Sequence, residues 1–243
     1  MSDFNTFEKL GESCEICVTK EHTFGTDAFL LADFAKVRHK DIVCDLGTGC
    51  GIIAVLMRLR YEPKQVYGVD IQPQAIEQFE LTVNRSGLKE TYPLLMDLKA
   101  LTNDAPLGRC DLVTCNPPYK AAKAGIESEL SAHKIARHEI LCNISDVCAA
   151  GNKLLKYGGR LCLCNRPERL ADVMCAMRDN DIEPKYLRFV SKSPNDAPWL
   201  FLIEGRKGGG SFMQVLPQLY ISGSGGISPE LAQIYGKTDE RTE

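Results

Sequence analysis

The sequence predicts a doubly wound α/β fold, a mostly parallel sheet with helices on both faces, closed on one side by an antiparallel hairpin. Three observations carry this. Short apolar, strand-like runs alternate with amphipathic helical stretches from residue 25 to residue 179. A glycine turn, Gly47-Thr48-Gly49-Cys50-Gly51, joins the first of those runs to the helix behind it. The last two long runs, 185–190 and 199–204, are separated by a Ser/Pro/Asn loop too short and too polar for a crossover helix, so they pair antiparallel.

Taken in order, residues 1–24 have weak periodicity and read as a short irregular or hairpin segment. In 25–35, Thr26 or Asp27 serves as the cap and Leu30, Leu31 and Phe34 make a helical stripe. Residues 41–46 form the first strand, and 52–60 a helix with Ile53, Leu56 and Leu59 on one face. The second strand, 65–70, ends in an acid. Pro73 suits the first position of the next helix, and Gly87 the position just past its end. Residues 92–96 are the third strand, ending at Asp97, and 110–115 the fourth. Residues 117–134 are long, small and polar, the mark of a functional or mobile loop. A helix over 138–157 is ended by Gly158-Gly159, a fifth strand covers 160–164, and 167–179 is helical. Gly208-Gly209-Gly210 breaks the chain, 213–221 adds a small strand, and 237–243 frays. The expected organisation is an N-terminal segment and helix over 1–40 packing on a core of 41–207, with 208–243 extending the same domain.

Composition sets the class. A chain of 243 residues, 44% hydrophobic and 25% charged, suits one domain with a large core. No apolar run approaches the ~20 residues of a membrane helix, and the amino-terminal residues lack the basic and apolar regions of a signal peptide. The expectation is a cytoplasmic protein with no membrane partner. A formal charge of −3 counts against a broadly basic nucleic-acid binder but leaves room for a local patch. Among eleven cysteines, Cys14 and Cys17 form a lone Cys-x-x-Cys without a second pair at zinc spacing, so no metal is expected. Cys44, Cys115, Cys162 and Cys164 lie in apolar runs and read as small core residues.

Two motifs carry chemistry. Asn116-Pro117-Pro118-Tyr119 follows the fourth strand. Two prolines make a stiff turn whose carbonyls are not tied up by a helix or a sheet ladder. An amide, a free carbonyl and an aromatic face then meet at the carboxyl end of a strand, where open α/β sheets keep their ligands. Two acceptors and a stacking surface fit a flat ring carrying an –NH2 group; the same stretch also reads as a plain Pro-rich turn. In the other motif, Gly47, Gly49 and Gly51 sit between strand and helix, and Asp70 ends the next strand, 19 residues on, where an acid reaches a ribose diol. Asp45, just before the turn, would repel a pyrophosphate but could hold an ammonium directly or through water. It therefore favours S-adenosylmethionine over NAD. Asp97 is placed to accept from the cofactor's adenine, or is a solvated loop acid.

Asp45-Leu46-Gly47-Thr48-Gly49-Cys50-Gly51 resembles the first motif of class I methyltransferases, and Asn116-Pro117-Pro118-Tyr119 the fourth motif of their amino-methylating branch. Three further stretches narrow the resemblance: 24–32, 136–139, and 166–170 together with 202–209. Together they look like the bacterial tRNA1(Val) adenine-N6 methyltransferase family. The resemblance implies a Rossmann-like, seven-stranded, mostly parallel sheet, S-adenosylmethionine as cofactor, and N6-methylation of adenine 37 of that tRNA, or of another RNA adenine. Gly47, Gly49 and Gly51 would line the methionine end and Thr26 and Asp27 close over it. Asp70 would meet the ribose and Asp97 the adenine, with Asp45, Ile71, Leu98 and Asn116 also in the cofactor site. Asn116 and the Pro117 carbonyl would hold the target amine, with Pro118 stiffening the corner and Tyr119 stacking on the base. Lys120, Lys123, Lys134, Arg137 and His138 are the candidates to meet RNA phosphate, with Arg166 and Arg169 beyond, and each taken singly reads equally as part of a solvated charged face. No DNA and no obligate protein partner is expected. A protein-glutamine methyltransferase shares Asn-Pro-Pro-Tyr, but about forty residues before the first core strand leave little room for its helical front domain. An NAD-dependent oxidoreductase would explain the glycine turn alone.

Overall fold

The computed structural model describes residues 6–11, 13–20, 22–102, 107, 109–117, 143–223 and 226–236. The chain opens with a hairpin of β1 (Thr6–Lys9) and β2 (Glu15–Val18), then α1 (Thr26–Phe34). The core follows as β3 (Ile42–Leu46), α2 (Ile52–Tyr61), β4 (Gln65–Asp70), α3 (Pro73–Arg85), β5 (Thr91–Leu95) and β6 (Cys110–Cys115). Its second half is α4 (Ile144–Leu154), β7 (Leu155–Asn165), α5 (Leu170–Asp179), β8 (Ile182–Ser191) and β9 (Leu200–Lys207). Short strands β10 (Gln214–Val215), β11 (Leu219–Tyr220), β12 (Ser222–Gly223) and β13 (Gly226–Ile227) lead to α6 (Pro229–Ile234).

The sheet runs β10-β8-β9-β7-β6-β3-β4-β5, with β11 also on β8. Seven long strands are as the resemblance implies; β10 and β11 add two more, both parallel to β8. Only β9 runs against its neighbours, pairing antiparallel with β7 and β8. From β3 the chain steps outward through β4 and β5, then returns to β6 on the other side. The carboxyl ends of β3 and β6 therefore flank the switch point where such sheets open a crevice.

Strand alternation splits the core into two layers. Val43, Leu112, Cys162, Cys164 and Leu202 face α1 and α2, packing with Leu31, Ile53, Leu56 and Met57. Cys44, Leu46, Val113, Leu161 and Leu163 face α4 and α5, packing with Val147, Leu154, Val173 and Met177. The period-two count places Asp45, Thr114 and Asn116 on the α1 side, together with Cys164. Cys14 and Cys17 are buried, Cys14 against Val55, Val66 and Phe79. The Cys17 N–H donates to Thr82 Oγ1 at 2.9 Å, tying the hairpin to α3. All ten cysteines among the described residues are free thiols.

Several boundaries differ from expectation. The cap of α1 is Gly25, with no side-chain cap bond, and not Thr26 or Asp27. Both of those side chains are engaged in the site instead. The helix expected over 138–157 begins, among described residues, at Ile144 and ends at Leu154. Its N-cap is Asn143, whose Oδ1 accepts from the Asp146 N–H while Asp146 Oδ2 accepts from the Asn143 N–H, each at 3.0 Å. Leu155 already pairs with Cys110, and the ladder resumes only at Leu112 with Arg160. Residues 156–159 form the bulge between, with Gly158 at φ +77 and Tyr157 turned out to solvent. The apolar pair Leu154-Leu155 fits a helix or a strand equally, which is why periodicity overran the boundary. At Gly87 the expectation holds. Its N–H donates to the Asn84 carbonyl and the Leu88 N–H to the Val83 carbonyl, a Schellman closure of α3. Among described residues, no helix is long and apolar enough to cross a membrane.

Candidate active site

Leu46 pairs with Cys115, so the glycine turn and the Asn116-Pro117 corner leave the sheet side by side. Gly47, Gly49 and Gly51 all have left-handed φ, +65, +55 and +86. A Cβ at Gly47 or Gly49 would meet nothing within 4 Å, so these two present bare backbone to open space. At Gly51 a Cβ would lie 2.2 Å from the Phe79 ring. The missing side chain of Gly51 lets α3 pack against the start of α2.

Asp45 is braced rather than presented. It is fully buried; Thr48 Oγ1 donates to its Oδ2 at 2.8 Å and Thr114 Oγ1 to its Oδ1 at 2.7 Å. Burial pushes its carboxyl from 3.8 up to about 7, against the lowering effect of both hydroxyls and with the nearby Asp70 charge raising it further. With no exposed surface of its own, it staples the turn to β6. Asp70 Oδ2 accepts from the Gly49 N–H and its Oδ1 from the Gln72 N–H, each at 2.9 Å. It thus fixes the glycine turn while ending β4 at the crevice. Ile71, beside it, is 48% exposed, an apolar surface at the rim. Asp97 Oδ1 accepts from the Lys99 N–H at 2.9 Å, capping a single 3-10 turn that begins at Leu98.

On the other side, Asn116 Nδ2 donates to Asp27 Oδ2 at 2.9 Å and Cys164 Sγ donates to Asn116 Oδ1 at 3.0 Å. Thr26 Oγ1 and the Tyr235 hydroxyl share a hydrogen bond of 2.7 Å, and the Tyr235 ring meets Phe29 edge-on at 4.9 Å. Gly47, Gly49 and Asp70 thus form a β3–β4 group, and Thr26, Asp27 and Asn116 an α1–β6 group, at the carboxyl ends of neighbouring strands, while Asp97 and Leu98 follow β5. Arg166 lies past the end of β7, 5.3 Å over the Trp199 ring, with its Nη1 donating to the Trp199 carbonyl at 2.9 Å. Arg169 pairs with Asp172 at 2.8 Å. Pro118, Tyr119, Lys120, Lys123, Lys134, Arg137 and His138 lie outside the described residues. Thr48, Thr114, Cys164 and Tyr235 were not singled out as site residues from sequence. For the first two, hydroxyls one turn after and one strand across from a buried acid were the available signal.

Fold and site define a class I S-adenosylmethionine-dependent methyltransferase. The chain belongs to the methyltransferase small domain family, which matches residues 19–169. Among curated relatives, the tRNA1(Val) (adenine(37)-N6)-methyltransferase of Histophilus somni (strain 129Pt) is 29% identical over 158 residues, spanning 64% of each chain. The enzyme of that name from Aeromonas salmonicida (strain A449) is 27% identical over 204 residues, 83% of each. Among solved structures, a predicted O-methyltransferase from Agrobacterium tumefaciens, Atu636, superposes with a TM-score of 0.69 at 18% identity. That match covers 86% of this chain and 95% of that one, a likeness of fold.

Proposed function

We propose that the protein methylates the N6 amine of an adenine in tRNA, with adenine 37 of tRNA1(Val) as the leading substrate. The observation that carries this reading is the Asn116-Pro117 corner, set beside the glycine turn with its amide held from both ends. The names of the curated relatives support the tRNA and the position. The cytoplasm, where tRNA is processed, is the compartment that goes with it.

When bound, S-adenosylmethionine supplies a methyl group on a positively charged sulfur. Gly47, Gly49, Thr26 and Asp27 would hold its methionine end, Asp70 with Ile71 its ribose, and Asp97 with Leu98 its adenine. A nucleobase –NH2 is a weak nucleophile because its lone pair is spread into the ring. Asn116 Oδ1 and the Pro117 carbonyl accept its two hydrogens and draw the nitrogen toward tetrahedral, which turns the lone pair to the methyl group. With the amine held there, its nitrogen would take the methyl group that the cofactor supplies, and its surplus proton would leave to water. The rate gain is positioning and charge stabilisation, with no base needed before transfer. Tyr119 would stack on the flipped base, returning ~1–3 kcal/mol against its unstacking. Lys120, Lys123, Lys134, Arg137 and His138, with Arg166 and Arg169, would meet the RNA backbone.

The test is transfer from labelled cofactor to tRNA lacking the modification, with the product nucleoside identified. N6-methyladenosine supports the reading; no labelled tRNA, or a different nucleoside, rejects it. Asn116→Ala should slow transfer ~10²–10³-fold with cofactor affinity nearly unchanged.

A further inference from the structure

We propose that Cys164 is a positioning residue for methyl transfer, its thiol locking the Asn116 amide so that one Oδ1 lone pair stays turned toward the substrate amine. This rests on the methylation reading for its chemical meaning, and on geometry for its existence.

The placement follows from register. Thr114 pairs with Cys162 and Cys115 with Leu163, so the next step brings Asn116 beside Cys164. Both belong to the sheet face that α1 covers, and Asp27 approaches from that helix. An amide oxygen has two lone pairs and an amide nitrogen two hydrogens. Asp27 can only accept, so it selects Nδ2. Cys164 Sγ, 3.0 Å from Oδ1, then donates to it and takes one lone pair, leaving the other. Without Cys164, Asp27 alone would hold the amide at one end, and Oδ1 could swing about that single tether. Cys164 has no exposed surface, and burial, with the Asp27 and Asp45 charges adding to it, drives its thiol well above the ordinary 9.0. It therefore stays a donor across the working pH range and is not the nucleophile of any step. Cys162, two residues earlier on the same face, meets Glu204 instead, so a small buried thiol alone does not explain the contact.

Two variants separate hydrogen bonding from packing. Cys164→Ala removes the donor, and Cys164→Ser keeps a donor of nearly the same size. With Ala, kcat should fall about fivefold to tenfold, the worth of one net hydrogen bond, with KM for S-adenosylmethionine unchanged. Ser should recover most of that loss. The S–H stretching band of Cys164 is isolated by subtracting the infrared spectrum of Cys164→Ala from that of the parent. It should move to higher frequency when the subtraction is repeated in an Asn116→Ala background. Equal kcat in all three proteins, an equal loss in Ala and Ser, or a thiol band indifferent to Asn116 overturns the proposal. The infrared comparison needs no substrate. A wild type that methylates no tRNA therefore refutes the assigned function, while the thiol band still decides the hydrogen bond.

Discussion

Replacing Asp45 with Asn should flatten the pH dependence of stability, by an amount the structure sets. The native carboxyl titrates at about 7, against an ordinary 3.8, because it is buried between Thr48 and Thr114. The native state thus prefers the protonated form. The stability tied to that proton is fully present below pH 3.8 and lost as pH rises through about 7. At about 1.4 kcal/mol per pH unit, the whole penalty approaches ~4 kcal/mol, and roughly 2–3 kcal/mol of it falls between pH 5 and pH 8. Asn has no charge to lose, and each threonine hydroxyl can donate to its oxygen or accept from its nitrogen. Urea unfolding of both proteins from pH 5 to pH 8 reads the difference directly. Wild type should lose roughly 2–3 kcal/mol more than Asp45→Asn over that range. A stability gap constant to within about 0.5 kcal/mol across it refutes the argument, because Asp45 would then titrate like a solvated acid.

Other perturbations address the same crevice. Asp70→Ala should weaken S-adenosylmethionine by ~1.5–3 kcal/mol in titration calorimetry, since it removes a charged acceptor and releases the Gly49 and Gln72 N–H groups. Unchanged affinity would reject its ribose role. Gly51→Ala should destabilise by roughly 2–5 kcal/mol in chemical unfolding, because the methyl group strikes Phe79 and the left-handed backbone is strained. Gly47→Ala, with open space beside it, should show only the backbone strain, ~1–2 kcal/mol. Equal losses in the two variants would dismiss the packing role given to Gly51.

The order of strands and helices was legible because β3, β4, β5, β6 and β9 are apolar runs closed within two residues by glycine, proline or an acid. The glycine turn, Asp70 and Asn116 were legible because their residue types are costly or useless anywhere but a strand end. The rest depended on what crosses between segments. Nothing local says that Asp27 reaches Asn116, 89 residues away, or that Asp45 is hidden under two hydroxyls. Cys164 read as filler, since a thiol inside an apolar run carries no polar signal until its neighbouring strand is known. The boundary at Leu154 failed for a similar reason: β-pairing with Cys110 decided it, and helical periodicity did not.

The Tyr235 contact ties the chain's last helix to its reactive heart. Its hydroxyl meets Thr26, 209 residues away, and its ring braces Phe29 on the helix that carries Asp27. Proteolytic trimming ahead of Pro229 would therefore loosen one wall of the site and also strip Leu231 and Ile234 from the core layer that α1 and α2 share. The carboxyl-terminal segment acts as a buttress, and its loss should be felt in turnover as well as in folding.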